Sequence, residues 1–484
     1  MPEVYICKSR YQPNDTNLIM DSFSRRDILK TFGLTAGGLS FLNAESFAGT
    51  IEDEPIVIPI DDRYITLDKP VTAIVLGAGN RGNVYGRFAL AFPNELDMVG
   101  VAEPILFRND KFAKAHNIED KYRFNTWEDV FKVPKFADAI IISTPDDLHY
   151  GPAMKALEMG YDVLLEKPIS PSYQECLDIL ALAQKTKRII AVCHVLRYTP
   201  YFRKLKEIAQ SGQFGKLISV NHLEGIEYQH MAHSYVRGNW HVAKDTNPIV
   251  LAKSCHDLDI LRWVIGKPCK SISAHGSLSW FKKENAPEGS TERCTDGCKV
   301  EKECPFSAIN IYHKQRLRIR VLDVTDDLTK QGDEIMEKLK TSPYGRCVYR
   351  MNNDQPDHYT TTMEFEGGTT VSFAMEAFTS FEARKTRLMF SHGEVWGDMD
   401  EIQTYDFRTK QNTKWRASEL PEYKSQASGH AGGDYGLARN FVQAVAQKKP
   451  ELLTSTIEAS IESHVMGFMA EKSRLSKQMV DVKI

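Results

Sequence analysis

The stretch VTAIVLGAGNRGNVYGRFALAF, residues 71–92, changes character in its middle, and that change decides the fold. Its first six residues are apolar or β-branched without alternation, as in a strand buried on both faces. Gly77, Gly79 and Gly82 follow in GxGxxG spacing, and the rest reads as a helix closed by Pro93. In such a strand–turn–helix the first glycine permits a tight turn and the second lets the backbone approach a pyrophosphate. The third packs helix on strand. The helix N-terminus, where Asn80 and Arg81 stand, offers N–H donors and partial positive charge to phosphate oxygens. Glu103 lies about 20 residues further on, where a carboxylate accepts from ribose hydroxyls and repels a 2′-phosphate. NAD is therefore expected as the cofactor ahead of NADP, with nearby Arg108 pulling the other way.

Outward from this unit the rhythm repeats. LDMVGVAEP, DAIIISTP, YDVLLEKP and RIIAVCHV read as buried strands, separated by helical stretches such as DLHYGPAMKALEMG and SYQECLDILALAQKTK. Apolar strands alternating with helices predict a doubly wound parallel sheet, a Rossmann domain over residues 70–196. Beyond it the pattern turns to long alternating strands: KLISVNHLEGIEY, then a hairpin in HYTTTMEFEGGTTVSFAMEAF turning at Gly367–Gly368, then KTRLMFSHGEVWGD. Helices are expected over PYFRKLKEIAQSGQFG, over KSCHDLDILRWVIG and in two final segments. This predicts an open antiparallel sheet with helices on one face over residues 197–484. The fold class is α/β followed by α+β. The net charge of −3, with signs interspersed, leaves no basic field for nucleic acid. No apolar run after residue 48 reaches the roughly 18 residues of a membrane span.

Ahead of the folded region stands SFSRRDILKTFGLTAGG, residues 22–38. Adjacent Arg25 and Arg26, a modestly apolar run and small residues near Ala48 make up a twin-arginine export signal. The expected partner is the twin-arginine machinery, and the expected location is the periplasm or the exterior of a bacterium. The signal region is taken as residues 1–48, with residues 1–19 fitting no signal pattern and Met20 an alternative start, and residues 49–69 as a connector.

GAGNRG, STPDDLHYGPAMKALEMGYDVLLEKPIS and HDLDILRWVIG together resemble the glucose–fructose oxidoreductase / inositol dehydrogenase (Gfo/Idh/MocA) family over nearly all of residues 70–475. The resemblance implies an NAD(P)-binding Rossmann domain, an open-faced sheet domain, carbohydrate or cyclitol substrates and a homo-oligomer formed through the open sheet. It places Thr144, Pro145, His149 and Glu166 at the cofactor. Lys167, with a cis bond to Pro168, stands between cofactor and substrate hydroxyl, and His256 is the catalytic histidine. An alcohol becoming a carbonyl loses a proton as its hydride departs, and a desolvated lysine or a histidine can take it. Here the chain departs from the family pattern. The aspartate expected four residues before the histidine is Ala252, and Lys253 is expected on the helical face of His256. Lys253 would then replace the acid by a cation and lower the pKa of His256, so Lys167, His256 and Lys253 all stay candidates for the proton shuttle. Trp240 and Asp259 are expected at the substrate pocket, although Trp240 reads equally well as core. GHAGGD adds His430 and Asp434 just before a helix as further candidates, with an ordinary N-cap and a glycine-rich loop as the plain alternative.

An insertion over about 281–350 carries Cys294, Cys298, Cys304 and Cys347. A structural zinc tetrathiolate is the sharpest reading. Two disulfides in an oxidising compartment compete with it, and an iron–sulfur cluster comes third. Export and a nicotinamide cofactor are compatible when the dinucleotide stays bound and regains its redox state each turnover. Paired oxidoreduction on a sugar hydroxyl meets that condition. So does a redox-neutral glycoside cleavage like that of the NAD-dependent N-acetylgalactosaminidases. A sugar-binding protein without catalysis is the third reading.

Overall fold

Strands that are apolar on both faces need cover on both, and residues 71–192 obtain it. β1 (Val71–Leu76), β2 (Leu96–Ala102), β3 (Arg123–Phe124), β4 (Ala139–Ile142), β5 (Asp162–Leu165) and β6 (Ile190–Val192) form a parallel sheet in the order β3-β2-β1-β4-β5-β6. The order reverses beside β1, which pairs with β2 on one side (Val75 with Val101) and β4 on the other (Val75 with Ile141). A crevice at that reversal is where doubly wound sheets bind ligands. Helices α1 (Asn80–Ala91), α2 (Leu106–Ala115), α3 (Tyr150–Glu158) and α4 (Tyr173–Thr186) supply the cover. The computed structural model describes residues 63–420 and 429–483. The signal region read over 1–48, with its paired arginines, lies outside the described residues.

After α5 (Pro200–Gln210) the chain lays down β7 (Leu217–Gly225), then α6 (Cys255–Ile265), β8 (Cys269–Ser277) and, within the insertion, α7 (Leu328–Thr341). β9 (His358–Phe365), β10 (Thr370–Glu376), β11 (Ala383–Phe390), β12 (Gly393–Gly397), β13 (Glu401–Asp406) and β14 (Gln411–Arg416) follow. With β15 (Val480–Asp481) they make a nine-stranded sheet, β14-β13-β12-β11-β7-β10-β9-β8-β15. The hairpin between β9 and β10 turns at Gly367–Gly368 as expected, pairing Thr370 with Glu364. The sheet is mostly antiparallel but mixed, because β7 and β10 run parallel, Val220 beside Val371. That pair joins strands far apart in sequence, so local alternation carries no sign of it. One face is buried beneath α6 and α9 (Ile457–Ser476); the other exposes Asn221, Thr360, Thr362 and Ser372.

The last helices return to the first domain. Tyr435, Leu437 and Phe441 of α8 (Gly433–Gln447) belong to the core formed around β1 and α1. Just beyond, Val192 N–H donates to Ser455 O, and Ala191 bridges Thr456, extending the parallel sheet by an antiparallel step.

Candidate active site

The three fingerprint glycines have three separate steric reasons. Gly77 has φ +90°, and a Cβ there would lie 2.6 Å from Ser143 O. At Gly82 a Cβ would lie 2.1 Å from Gly77 O, so helix and turn touch only because the side chain is missing. At Gly79 the nearest atom to a Cβ is Arg108 Nη1, 4.0 Å away, which leaves the turn open to a close-approaching group. No side chain caps the first turn of α1, whose N-cap is Gly79, so its amide donors remain for an anion. Asn83 braces the turn by donating to Ala78 O and Gly79 O at 2.6 and 2.8 Å. Glu103, buried at the end of β2, accepts from Ala78 N–H at 2.8 Å and Ile105 N–H at 3.0 Å. This cradle fits a dinucleotide: open turn, uncapped helix and a carboxylate in the ribose position.

Arg81 does not reach toward the phosphates. Its Nε donates to Glu166 at 2.6 Å, and its Nη2 donates to Tyr85 Oη and to Asp434, both at 2.9 Å. Tyr85 Oη also donates to Glu166 at 2.6 Å. Burial alone would raise the Glu166 carboxyl, but Arg81, Lys167 and Tyr85 bring it below the usual carboxylate range. Asp434 is likewise held low, Arg81 and His430 outweighing its burial. Asp434 is therefore not the N-cap expected from GHAGGD: Gly432 holds that position, and the buried carboxylate locks α8 onto α1.

Lys167 forms a cis bond with Pro168, and its Nζ donates to Ala252 O at 2.8 Å. The lysine thus bonds the main chain of the residue that replaces the expected aspartate. His149 lies behind it, buried, with Nδ1 2.7 Å from Pro168 O and Nε2 3.1 Å from Thr144 O. It ties the two cofactor-side loops together instead of facing a ligand. Thr144 donates its hydroxyl to Leu148 O at 3.0 Å, and Pro145 is exposed beside it.

The helix expected from residue 253 begins at Cys255, after a one-turn helix at Ile249–Ala252 and a break at Lys253–Ser254. Lys253 is therefore off the helical face of His256. Its ammonium lies 3.8 Å from Glu224 and 3.9 Å from Glu382. His256 is buried, its Nδ1 has no hydrogen-bond partner, and its pKa lies well below the usual histidine value. Burial is the main cause, followed by Lys167 and His430, so Lys253 is not the source expected from spacing. The ring stands 5.9 Å from His430 and 6.1 Å from His194, which in turn is 5.3 Å from His464. Sequence reasoning passed over His194 and His464, because only the fold brings residues so distant in the chain beside His256.

Asp259 does not line a pocket. It is buried, takes two bonds from Arg197 at 2.6 and 2.7 Å, and accepts from Ser463 at 3.2 Å. Trp240, half-buried, donates its indole N–H to Asp146 at 2.9 Å, and Asn247 donates to the same oxygen at 3.1 Å. Trp240 thus braces the substrate domain against the loop after β4.

The zinc reading finds no support in the arrangement of the cysteines. All four insertion cysteines are free thiols lining one small cavity with Arg237, whose guanidinium donates toward Cys294 Sγ at 3.9 Å. Burial raises the Cys304 and Cys347 thiols, and the charge nearest the four sulfurs is the Arg237 cation. Among the described residues no group of three or more His, Cys, Asp or Glu is arranged to hold a metal ion.

Comparison with known proteins places both halves. Residues 71–194 match the oxidoreductase family with NAD-binding Rossmann fold, and residues 202–303 match the GFO/IDH/MocA C-terminal domain. The chain is 23% identical over 321 residues to the putative oxidoreductase YteT of Bacillus subtilis, covering 64% of this chain and 73% of YteT. It is 27% identical over 215 residues to the scyllo-inositol 2-dehydrogenase (NAD(+)) of the same organism, spanning 44% of this chain and 59% of that enzyme. A third relative, the 2,7-anhydro-N-acetylneuraminate hydratase of Mediterraneibacter gnavus, is 29% identical over 140 residues, 29% of this chain and 36% of the hydratase. In three dimensions, levoglucosan dehydrogenase with NADH and levoglucosan superposes with TM-score 0.63 at 14% identity, covering 86% of this chain and 100% of that one. An inositol dehydrogenase homologue from Azotobacter vinelandii with NADH and myo-inositol gives TM-score 0.61 at 14% identity, covering 87% and 100%. The glycine cradle and the EKP strand end lie within the first match and His256 within the second, and the chain belongs to the Gfo/Idh/MocA family of oxidoreductases.

Proposed function

We propose that this protein is an NAD-dependent oxidoreductase that dehydrogenates a hydroxyl of a sugar, cyclitol or glycoside and keeps its cofactor through the cycle. The observation that carries the reading is the placement of Lys167 and His256 together beside the glycine cradle, at the carboxyl edge of the parallel sheet. NAD, when bound, supplies the hydride acceptor. The chain's own part is the proton. His256 is neutral and keeps an unpartnered Nδ1 in a buried setting, the state of a base waiting for a donor. Lys167, fixed on Ala252 O, can turn its remaining N–H bonds toward the substrate oxygen and orient the hydroxyl. Glu103, anchored by Ala78 and Ile105, supports NAD over NADP.

Names among the relatives support polyol substrates, and the hydratase supports a second reading, redox-neutral removal or addition of a group next to a transiently oxidised carbon. Arg25–Arg26 and the run behind them support export in folded form, with a captive dinucleotide as the consequence. The polar open sheet face supports the homo-oligomer that the family implies.

The test is to denature the purified chain, identify the released dinucleotide, and incubate intact protein with a panel of sugars, cyclitols and aryl glycosides. Reduced-nicotinamide absorbance with a stable keto product is the expected result. Release of aglycone with no net reduction would move the reading to redox-neutral cleavage. Absence of any bound or bindable dinucleotide would overturn it.

A further inference from the structure

Arg108 lies in the first helical turn beyond the ribose acid Glu103, with its Nη1 4.0 Å from where a Cβ would stand on Gly79. That is where an arginine could reach a 2′-phosphate. Two of its three nitrogens, and with them its orientation, are already committed elsewhere. Asp323, from the cysteine-bearing insertion more than two hundred residues away, accepts from Arg108 Nε at 2.8 Å and from Nη2 at 2.9 Å, one bond to each carboxylate oxygen. Asp323 is held from behind: Ile319, Leu322 and Val324 on either side of it are buried in the core of the insertion. The same segment meets the cofactor domain again through Lys111 and Asp326 at 2.6 Å. Its other end meets the sheet domain through Arg318 and Glu382, also at 2.6 Å.

We infer that Asp323 is a specificity-determining residue, which fixes Arg108 in a fork-to-fork pair and so withholds it from the 2′-phosphate of NADP. The inference rests on the dinucleotide reading above. A bidentate arginine–carboxylate pair has fixed geometry, and a phosphate competing for the same two N–H bonds must displace an anion already in place. Glu103 repels that phosphate from the other side. Without Asp323, Arg108 either takes the phosphate or turns to Glu103 and neutralises it, and both outcomes favour NADP. Asp323 touches no substrate atom; it acts as a positioning residue through Arg108.

The test uses the full chain, first stripped of any resident dinucleotide, incubated with equimolar NAD and NADP, freed of unbound dinucleotide, denatured, and assayed for the ratio released. Wild type is expected to yield predominantly NAD. Asp323→Asn is expected to raise the NADP share roughly tenfold, the scale of one charge-assisted contact. Asp323→Glu should restore the wild-type ratio, and adding Arg108→Ala to Asp323→Asn should cancel the gain. Asp326→Asn removes the same charge from the same segment without releasing Arg108, and should leave the ratio unchanged. An unchanged ratio in Asp323→Asn, or an equal shift in Asp326→Asn, overturns the inference. Recovery of neither dinucleotide from wild type overturns the reading beneath it as well, a result distinct from either.

Discussion

The carboxylate clasp on α1 and the histidine cluster near it are built on opposite principles. On the cofactor side, Arg81, Glu103, Glu166 and Asp434 are all held by specific partners. In the histidine cluster beside them, His194 has no hydrogen-bond partner at either nitrogen, with Asp259 3.7 Å away, and His256 has none at Nδ1, though both rings are buried. A buried nitrogen without a partner costs about 1–3 kcal/mol. Such a cost is tolerated where the group has another task, and in the proposed reaction His256 is the ring that has one, whereas the clasp only holds.

The contrast can be broken or sharpened by experiment. The largest effect is expected from His256→Ala, which should lower kcat roughly 10²–10⁴-fold while bound dinucleotide is unchanged. Turnover and dinucleotide content measured on one sample decide it, since loss of both would erase the division of labour. Next comes Arg81→Met, which strands two buried carboxylates and should cost about 3–5 kcal/mol in urea unfolding. Asp259→Ala leaves buried Arg197 unpaired and should resemble it, with most stability lost but kcat per folded molecule nearly intact. A loss of turnover without a loss of stability would put Asp259 back in the reacting group.

Acid should separate the two sides in sequence. Burial holds His194 and His256 well below the usual histidine value, His230 at about 4 and His464 at about 3. The folded chain keeps these rings neutral while the unfolded chain protonates them near 6.5. Their contribution is therefore complete above about pH 7 and falls as pH drops from about 6.5 toward 4, on the order of 2 kcal/mol per ring. Glu166 and Asp434 have depressed values, so their contribution survives until pH falls below the ordinary carboxylate range near ~4. Melting temperature followed from pH 8 to 3 should show two descents, and Arg81→Met should remove the lower one. The smallest effect is expected at Lys111, whose pair with Asp326 is open to solvent. Lys111→Ala should change stability by less than about 1 kcal/mol.

What the sequence discloses is what lies close together along it. The cradle needs residues 71–103 only, and the strand end EKP needs three neighbours, so both were legible. The partners of Arg81 were not: Glu166 and Asp434 meet it across 85 and 353 positions. Asp259 fails for the same reason, since its acid looks available until Arg197 appears beside it. Lys253 fails for a local one. A helical wheel assumes an unbroken helix, and the break before Cys255 turns the lysine to Glu224 and Glu382. The cysteines were conspicuous in sequence, yet Arg237, which supplies the charge in their cavity, comes from outside the insertion.

The return of α8 and of residues 455–456 to the first domain has a consequence for how the protein is made. The glycine turn leaves the ribosome early, but the carboxylate that secures Arg81 follows 353 positions later, and the segment that finishes the sheet edge later still. The glycine cradle is local, but the clasp that fixes α1 against α8 and the last step of the sheet come from far along the chain. The turn can therefore form before its supporting clasp does, and α1 is fixed in place only once α8 has docked.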